Sequence, residues 1–208
     1  MTPHDRTQPT GLERRLLLGA LCAGIALAGC GASRSATTTS HSEHAHTASE
    51  RVPTVSIIVS TPTVLREKES YIPRRYTCDG ANDSLPVRWS HIPPATADIA
   101  VFVVNLQPVH GRTFFDWALA GLSPTSHGVY SGRLPPGAVV GRNSYGNAGY
   151  SICPAKGTRE ESYVVRVVAL PHPLAASPGF NAEAVYREAE RSATAVGLGG
   201  GLYPPPKA

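Results

Sequence analysis

A mainly β domain with one late helix is predicted by three features of the sequence. Short runs rich in β-branched and aromatic residues, "VSIIVS", "DIAVFVVNL", "TFFDWALAGL" and "SYVVRVVAL", recur along the chain. Turn clusters such as "LPPG" and "ALPHP" bound them, as expected for strands, and the continuous apolar runs read as strands buried on both faces. Only "NAEAVYREAERSATAVG" breaks the pattern. There Asn181 is a suitable N-cap, Glu183 comes early and Gly197 late, while Val185, Ala189 and Ala193 recur every four residues as in an amphipathic helix. No tandem period is present, so a solenoid or propeller is excluded.

From the amino terminus, Arg14 and Arg15 precede "LLLGALCAGIALAG". That run is shorter than the roughly 20 residues of a spanning helix but fits the apolar region of a signal peptide. It ends in "LAGC", Leu27 to Cys30, the pattern of a bacterial lipoprotein signal: small residues admit the peptidase and the Cys30 thiol takes the diacylglycerol. Residues 1–29 are therefore expected to be removed and Cys30 acylated, tethering the mature chain to the extracytoplasmic face of a cell membrane. The paired arginines also fit a Tat signal, but such pairs occur in ordinary export signals too.

Residues 30–55 are rich in Ser, Thr, Ala and His without apolar periodicity, a composition that cannot offset ordering entropy, and are expected to form a disordered tether. His41, His44 and His46 could capture metal, yet no rigid element fixes their geometry, and a polar spacer is the simpler reading. Residues 56–208 remain as one domain, long enough for a core of its own. Cleavage removes three basic and two acidic side chains, leaving a net charge near +3, too small and scattered for a nucleic-acid surface.

Cys22 leaves with the signal and Cys30 is lipidated, so Cys78 and Cys153 are left as a pair in an oxidising compartment. A disulfide is expected, with two free thiols as the alternative. No HExxH, nucleophile elbow or Ser/His/Asp set occurs. His91, His110, His127 and His172 stand beside prolines or glycines and read as exposed turn residues. No catalytic residue, cofactor or metal is expected. The adjacent Glu160 and Glu161 close the Cys-Pro loop just before an apolar strand and are either solvated or part of a site.

Three ordered blocks, "IPRRYTCDGANDSLPVRWSHIPPAT", "GRNSYGNAGYSICPAKG" and "LGGGLY", resemble those of the phosphatidylethanolamine-binding protein family, in its bacterial Raf kinase inhibitor-like branch. The resemblance covers about Ser56 to Tyr203. It implies an antiparallel Greek-key β-sandwich with one or two peripheral helices, and a small surface pocket that binds phosphate or a phospholipid head group in relatives. Carried over residue by residue, the pocket departs from the family. Leu106, Gln107 and Pro108 stand where relatives have Asp-Pro-Asp, Asp116 replaces a histidine before Trp117, and Glu161 replaces the histidine after the Cys-Pro loop. Asp79 and Tyr163 keep the expected chemistry.

An anion site needs N–H donors, whereas a carboxylate repels phosphate by about 4 kcal/mol per unit pair at 4 Å in an effective dielectric of 20. The expected ligand pocket, Asp79, Asp116, Glu161 and Tyr163, would instead accept hydrogen bonds from an amine, a sugar hydroxyl or a hard cation. The alternatives are a decayed pocket, with Asp116 and Glu161 solvated or paired to Arg112 or Arg159, and an interaction or inhibitor module for an envelope protein, for which the tail "YPPPKA" could serve as a polyproline ligand. The "LAGC" reading is checked directly: the chain should partition with membranes and carry acyl mass at Cys30, and Cys30→Ala should release it or leave the precursor uncleaved. A membrane-bound, acylated Cys30→Ala product would rule that reading out.

Overall fold

The computed structural model describes residues 54–55, 57–66, 69–154 and 160–203. The expected signal peptide, Cys30, the histidine triplet, nearly all of the tether, Arg159 and the proline tail lie outside the described residues. In chain order the elements are β1 (Thr54–Val55), β2 (Ile58–Ser60), β3 (Val64–Arg66), β4 (Glu69–Tyr71), a 3-10 turn (Arg74–Tyr76), β5 (Val87–Ser90), β6 (Asp98–Val109), β7 (Arg112–Leu122), β8 (Gly128–Val129), β9 (Val139–Val140), β10 (Glu161–Leu170), α1 (Ala182–Ser192) and β11 (Ala195–Tyr203).

Two sheets face each other. The larger runs β3-β4-β11-β10-β6-β7-β9, with β1 also on β11, and the smaller runs β2-β5-β8. The non-sequential order around β10 and β11 gives the Greek-key character. The long strands pair antiparallel as expected, and at one edge β1 and β4 join β11 in parallel. The β6–β7 hairpin turns on His110 and Gly111, both at positive φ (52° and 73°), as a two-residue type I′ loop requires.

The central strands are continuously apolar because both their faces are covered. On one face Val101, Val103, Trp117, Leu119, Val165 and Val167 pack against Ile57, Leu85, Val87 and Trp89 from the small-sheet side. On the other, Phe102, Phe115, Ala118 and Val168 pack against Ala182, Val185 and Ala189 of α1. The Asn181 side chain caps the helix, accepting from Ala184 N at 2.9 Å.

The helix stops at Ser192, five residues before Gly197. Thr194 donates from both its backbone N–H and its hydroxyl to the Ala169 carbonyl, which draws the chain into the sheet, so Ala195–Gly197 open β11 instead. Glycine is required along this strand by close approach. A Cβ on Gly197 would lie 2.5 Å from the Ile57 carbonyl oxygen, and one on Gly200, at φ 130°, would lie 2.0 Å from that of Tyr163.

Candidate functional site

The site forms at one end of the large sheet, where β6, β7 and β10 lie side by side. Strand alternation sends Glu160 and Glu161 to opposite sides. Glu160 reaches the Tyr71 hydroxyl at 2.9 Å, beside Glu69, whereas Glu161 turns inward and is 6% exposed. Tyr163, two residues on, follows it inward and pairs with Asn105 across the β10–β6 ladder.

Asp116 arrives there by a bulge. Val103 pairs with Trp117 and Val104 with Phe115, so Asp116 is the extra residue and its side chain is re-aimed. Phe115 belongs to the helix-side core and Trp117 to the core between the sheets. Asp116 lies between them, fully buried at 0% exposure.

The loop after β9 closes over this end. Asn143 is its organiser: its Oδ1 accepts from Tyr145 N and Asn147 N, and its Nδ2 donates to the Gly149 carbonyl. Ser144 is clamped to β7, donating its N–H to Phe115 O and accepting from Phe115 N through its hydroxyl. The "YTCDGAND" block is laced to the same loop by Cys78 N to Ile152 O at 3.0 Å, Tyr150 OH to Tyr76 O and Asn82 Nδ2 to Ser151 Oγ.

The hydrogen-bond donors around the carboxyls are already committed. Glu161 Oε2 accepts from Asn105 Nδ2 at 2.8 Å and from Tyr163 OH at 2.7 Å. Tyr145 adjoins Asp116 but gives its hydroxyl hydrogen to the Cys153 carbonyl. Both Asp116 carboxyl oxygens are left without a hydrogen-bond partner. Burial, reinforced by the charge of Glu161, pushes the Asp116 carboxyl up to about 8. Burial and the hydrogen bond to Glu161 push the Tyr163 phenol far above its ordinary range.

The expected residues are thus partly gathered. Asp116, Glu161 and Tyr163 converge, but Asp79 is exposed and receives the Tyr203 hydroxyl. Leu106 is 55% exposed and Gln107 accepts from Ser162 N, so of this stretch it is Asn105 that contributes to the site. Asn105, Tyr145 and Tyr150 were missed. The available signal for Asn105 was one amide interrupting an apolar run. Cys78 and Cys153, expected as a bridged pair, are free thiols here; burial and a hydrogen bond to Cys153 push the Cys78 thiol up to about 12. The four loop histidines are exposed, as expected.

Among the described residues no cluster of three His, Cys, Asp or Glu side chains is arranged for a metal. A groove of about 290 Å³ lies elsewhere, on the helix side of the large sheet, lined by Arg112, Arg142, Ser144 and Glu183. Its arginines are partnered, Arg112 by Glu183 and Arg142 by the Gly146 carbonyl.

The buried acid makes stability depend on pH. Folded Asp116 keeps its proton to about pH 8, whereas an unfolded aspartate loses it near pH 4, so the native state binds the extra proton between those values. Stability should therefore fall as pH rises through that window, by up to about 1.4 kcal/mol per unit, and level off above it. Asp98, raised by burial, acts in the same direction, so the comparison with Asp116→Asn isolates the site. Urea unfolding of that variant should show a flatter profile and greater stability than the parent above about pH 8; equal slopes would show that Asp116 is ionised in the native protein.

The comparisons with known proteins agree with this fold. A UPF0098 protein of Methanothermobacter thermautotrophicus is 34% identical over 57% of this chain and 81% of its own. LppC of Mycobacterium tuberculosis, provisionally named a lipoprotein, is 33% identical over 61% of this chain and 64% of its own, so the match spans under two thirds of that relative. The crystal structure of Escherichia coli YbcL, described as a member of the mammalian PEBP family, superposes with a TM-score of 0.64 at 23% identity, over 73% of this chain and all of YbcL. The family model for phosphatidylethanolamine-binding protein matches residues 65–203, and the chain belongs to that family.

Proposed function

We propose that this chain is a membrane-tethered, extracytoplasmic ligand-binding domain whose pocket has exchanged its family's anion-binding donors for acceptors. The observation that carries this reading is the burial of Asp116 beside Glu161 with the surrounding neutral donors spent on other acceptors. The tether rests on "LAGC" at Leu27 to Cys30 and is in keeping with the name of the LppC relative. A binder is preferred to an enzyme because, among the described residues, no nucleophile with an adjacent base accompanies the two carboxyls. Glu161 disfavours phosphate by charge, and Asp116 offers at most one hydrogen as a donor. A second reading, an envelope interaction or inhibitor module with a non-functional pocket, draws on the complete burial of Asp116 and on Ile58 and Tyr130, exposed beside Arg88 on the small sheet.

Calorimetry with inorganic phosphate at millimolar concentration should detect no binding to the parent chain. The double change Asp116→His and Glu161→His, which restores donors, should bring phosphate binding into range. Tight binding by the parent that Asp116→His and Glu161→His leave unchanged would mean that backbone N–H groups, or the separate groove of Arg112 and Arg142, hold the phosphate, and would overturn the acidic-pocket reading.

The extracytoplasmic setting also leads us to propose that Cys78 and Cys153 become bridged there, which on the loop-entropy model stabilises by about 4 kcal/mol less any strain. Intact mass after alkylation of the unreduced, denatured chain should show neither thiol modified; two modified thiols would refute the bridge.

A further inference from the structure

Asp116 presents a chemical imbalance that the fold does not resolve. Its two carboxyl oxygens are fully buried and unpartnered, although buried polar atoms in native proteins nearly always find partners. The groups facing it cannot supply one in this arrangement. On β10, Glu161 is itself an acceptor and Tyr163 donates to Glu161. On β6, Asn105 donates to Glu161 as well. In the loop after β9, Tyr145 stands near enough to Asp116 for its hydroxyl to favour the ionised carboxyl, but that hydroxyl donates to Cys153 O, and Tyr150 donates to Tyr76 O. Cys153 lies close enough to contact Ser151 Oγ at 3.2 Å, and the Cys78 thiol hydrogen-bonds Cys153. None of the described residues supplies the missing donor.

We propose that Asp116, with Glu161 beside it, anchors the ammonium group of a small organic cation, taken up in exchange for a proton. This rests on the reading of the site as an acidic ligand pocket and names the class of ligand. In the exchange the Asp116 O–H bond breaks, its proton passes to solvent, and the carboxylate so formed accepts hydrogen bonds from R–NH3+. One positive charge enters as one leaves, so the buried site keeps its charge. That balance distinguishes an ammonium from a sugar, whose hydroxyls supply donors but neutralise nothing. A hard divalent cation calls for about six to eight oxygen ligands, and the described residues offer two inward carboxyls. Tyr145 and Tyr150 both lie close enough to Asp116 to feel its charge, and the Tyr150 ring packs edge to face on Trp117 with centroids 5.4 Å apart; aromatic rings near the carboxyl favour an organic cation by cation–π attraction. The raised Asp116 carboxyl, at about 8, sets the pH range in which the exchange is visible.

The test is calorimetry of the full chain with butylammonium, in paired buffers of different ionisation enthalpy, at about pH 6.5 and about pH 8.5. Close to one proton should be released per butylammonium at the lower pH and a minor fraction at the higher. The association constant should rise by up to about tenfold per pH unit between them. Butanol, of the same shape without the charge, should not bind. Asp116→Asn should abolish proton release and weaken binding; if that variant does not fold, the paired-buffer result on the parent decides alone. Butylammonium binding without proton release, or release retained in Asp116→Asn, overturns the exchange. Calcium or glucose binding where butylammonium fails would overturn the ammonium assignment while keeping the acidic ligand site. No binding of any of the three at millimolar concentration would overturn both.

Discussion

Burial of β6, β7 and β10 on both faces is the constraint on which the remaining architecture depends. A strand in that position can hold no exposed row of polar side chains, so the small sheet must cover one face and α1 the other. Ile57, Val87 and Trp89 meet the first face, and Val185 and Ala189 the second. The neighbouring β11 has to slide beneath β1 and β2, and its glycines let the Ile57 and Tyr163 carbonyls approach where any Cβ would collide. The Thr194 bonds to Ala169 then fix where the helix yields to that strand.

The same constraint makes the bulge at Asp116 consequential. In an unbroken β7, residues 115, 116 and 117 would alternate between the two cores. The extra residue places a carboxyl at a fully buried seam, and burial pushes the group up to about 8. A side chain that would be unremarkable on a surface strand becomes the most perturbed acid of the described chain because of one register shift. Charge and topology are coupled at this point: removing the bulge would return the side-chain order of β7 to alternation and take Asp116 off the site.

The long apolar strands were legible because a doubly buried strand must be apolar along its whole length, and "DIAVFVVNL", "TFFDWALAGL" and "SYVVRVVAL" all lie within β6, β7 and β10. The N-cap at Asn181 was legible because capping is local chemistry. The C-terminal end of the helix was not, since Thr194 is held by a carbonyl 25 residues away. Strands β3, β4, β8 and β9 are two or three residues long and draw their identity from partners, not from pattern. At the site, Asp116, Glu161 and Tyr163 were reached through the family resemblance. Asn105 and Tyr145 were not, because the first depends on cross-strand register and the second on a loop folded about Asn143.

The fold and the chemistry of the site are held by different interactions. Asn143, Ser144 and the contacts from Cys78, Asn82 and Tyr150 build the loop walls through neutral hydrogen bonds. None of these bonds uses the Asp116 or Glu161 carboxyl, so the walls need no particular charge at the centre. The centre can therefore carry carboxyls where the family resemblance implies histidines without loss of the sandwich around it. Membership of the family accordingly fixes the scaffold, and it leaves the ligand to the chemistry of the site. In this chain Asp116 and Glu161 are acids whose hydrogen-bonding neighbours Asn105, Tyr145 and Tyr163 give their hydrogens to Glu161 or to a backbone carbonyl, which is the imbalance the proposed cationic ligand would relieve.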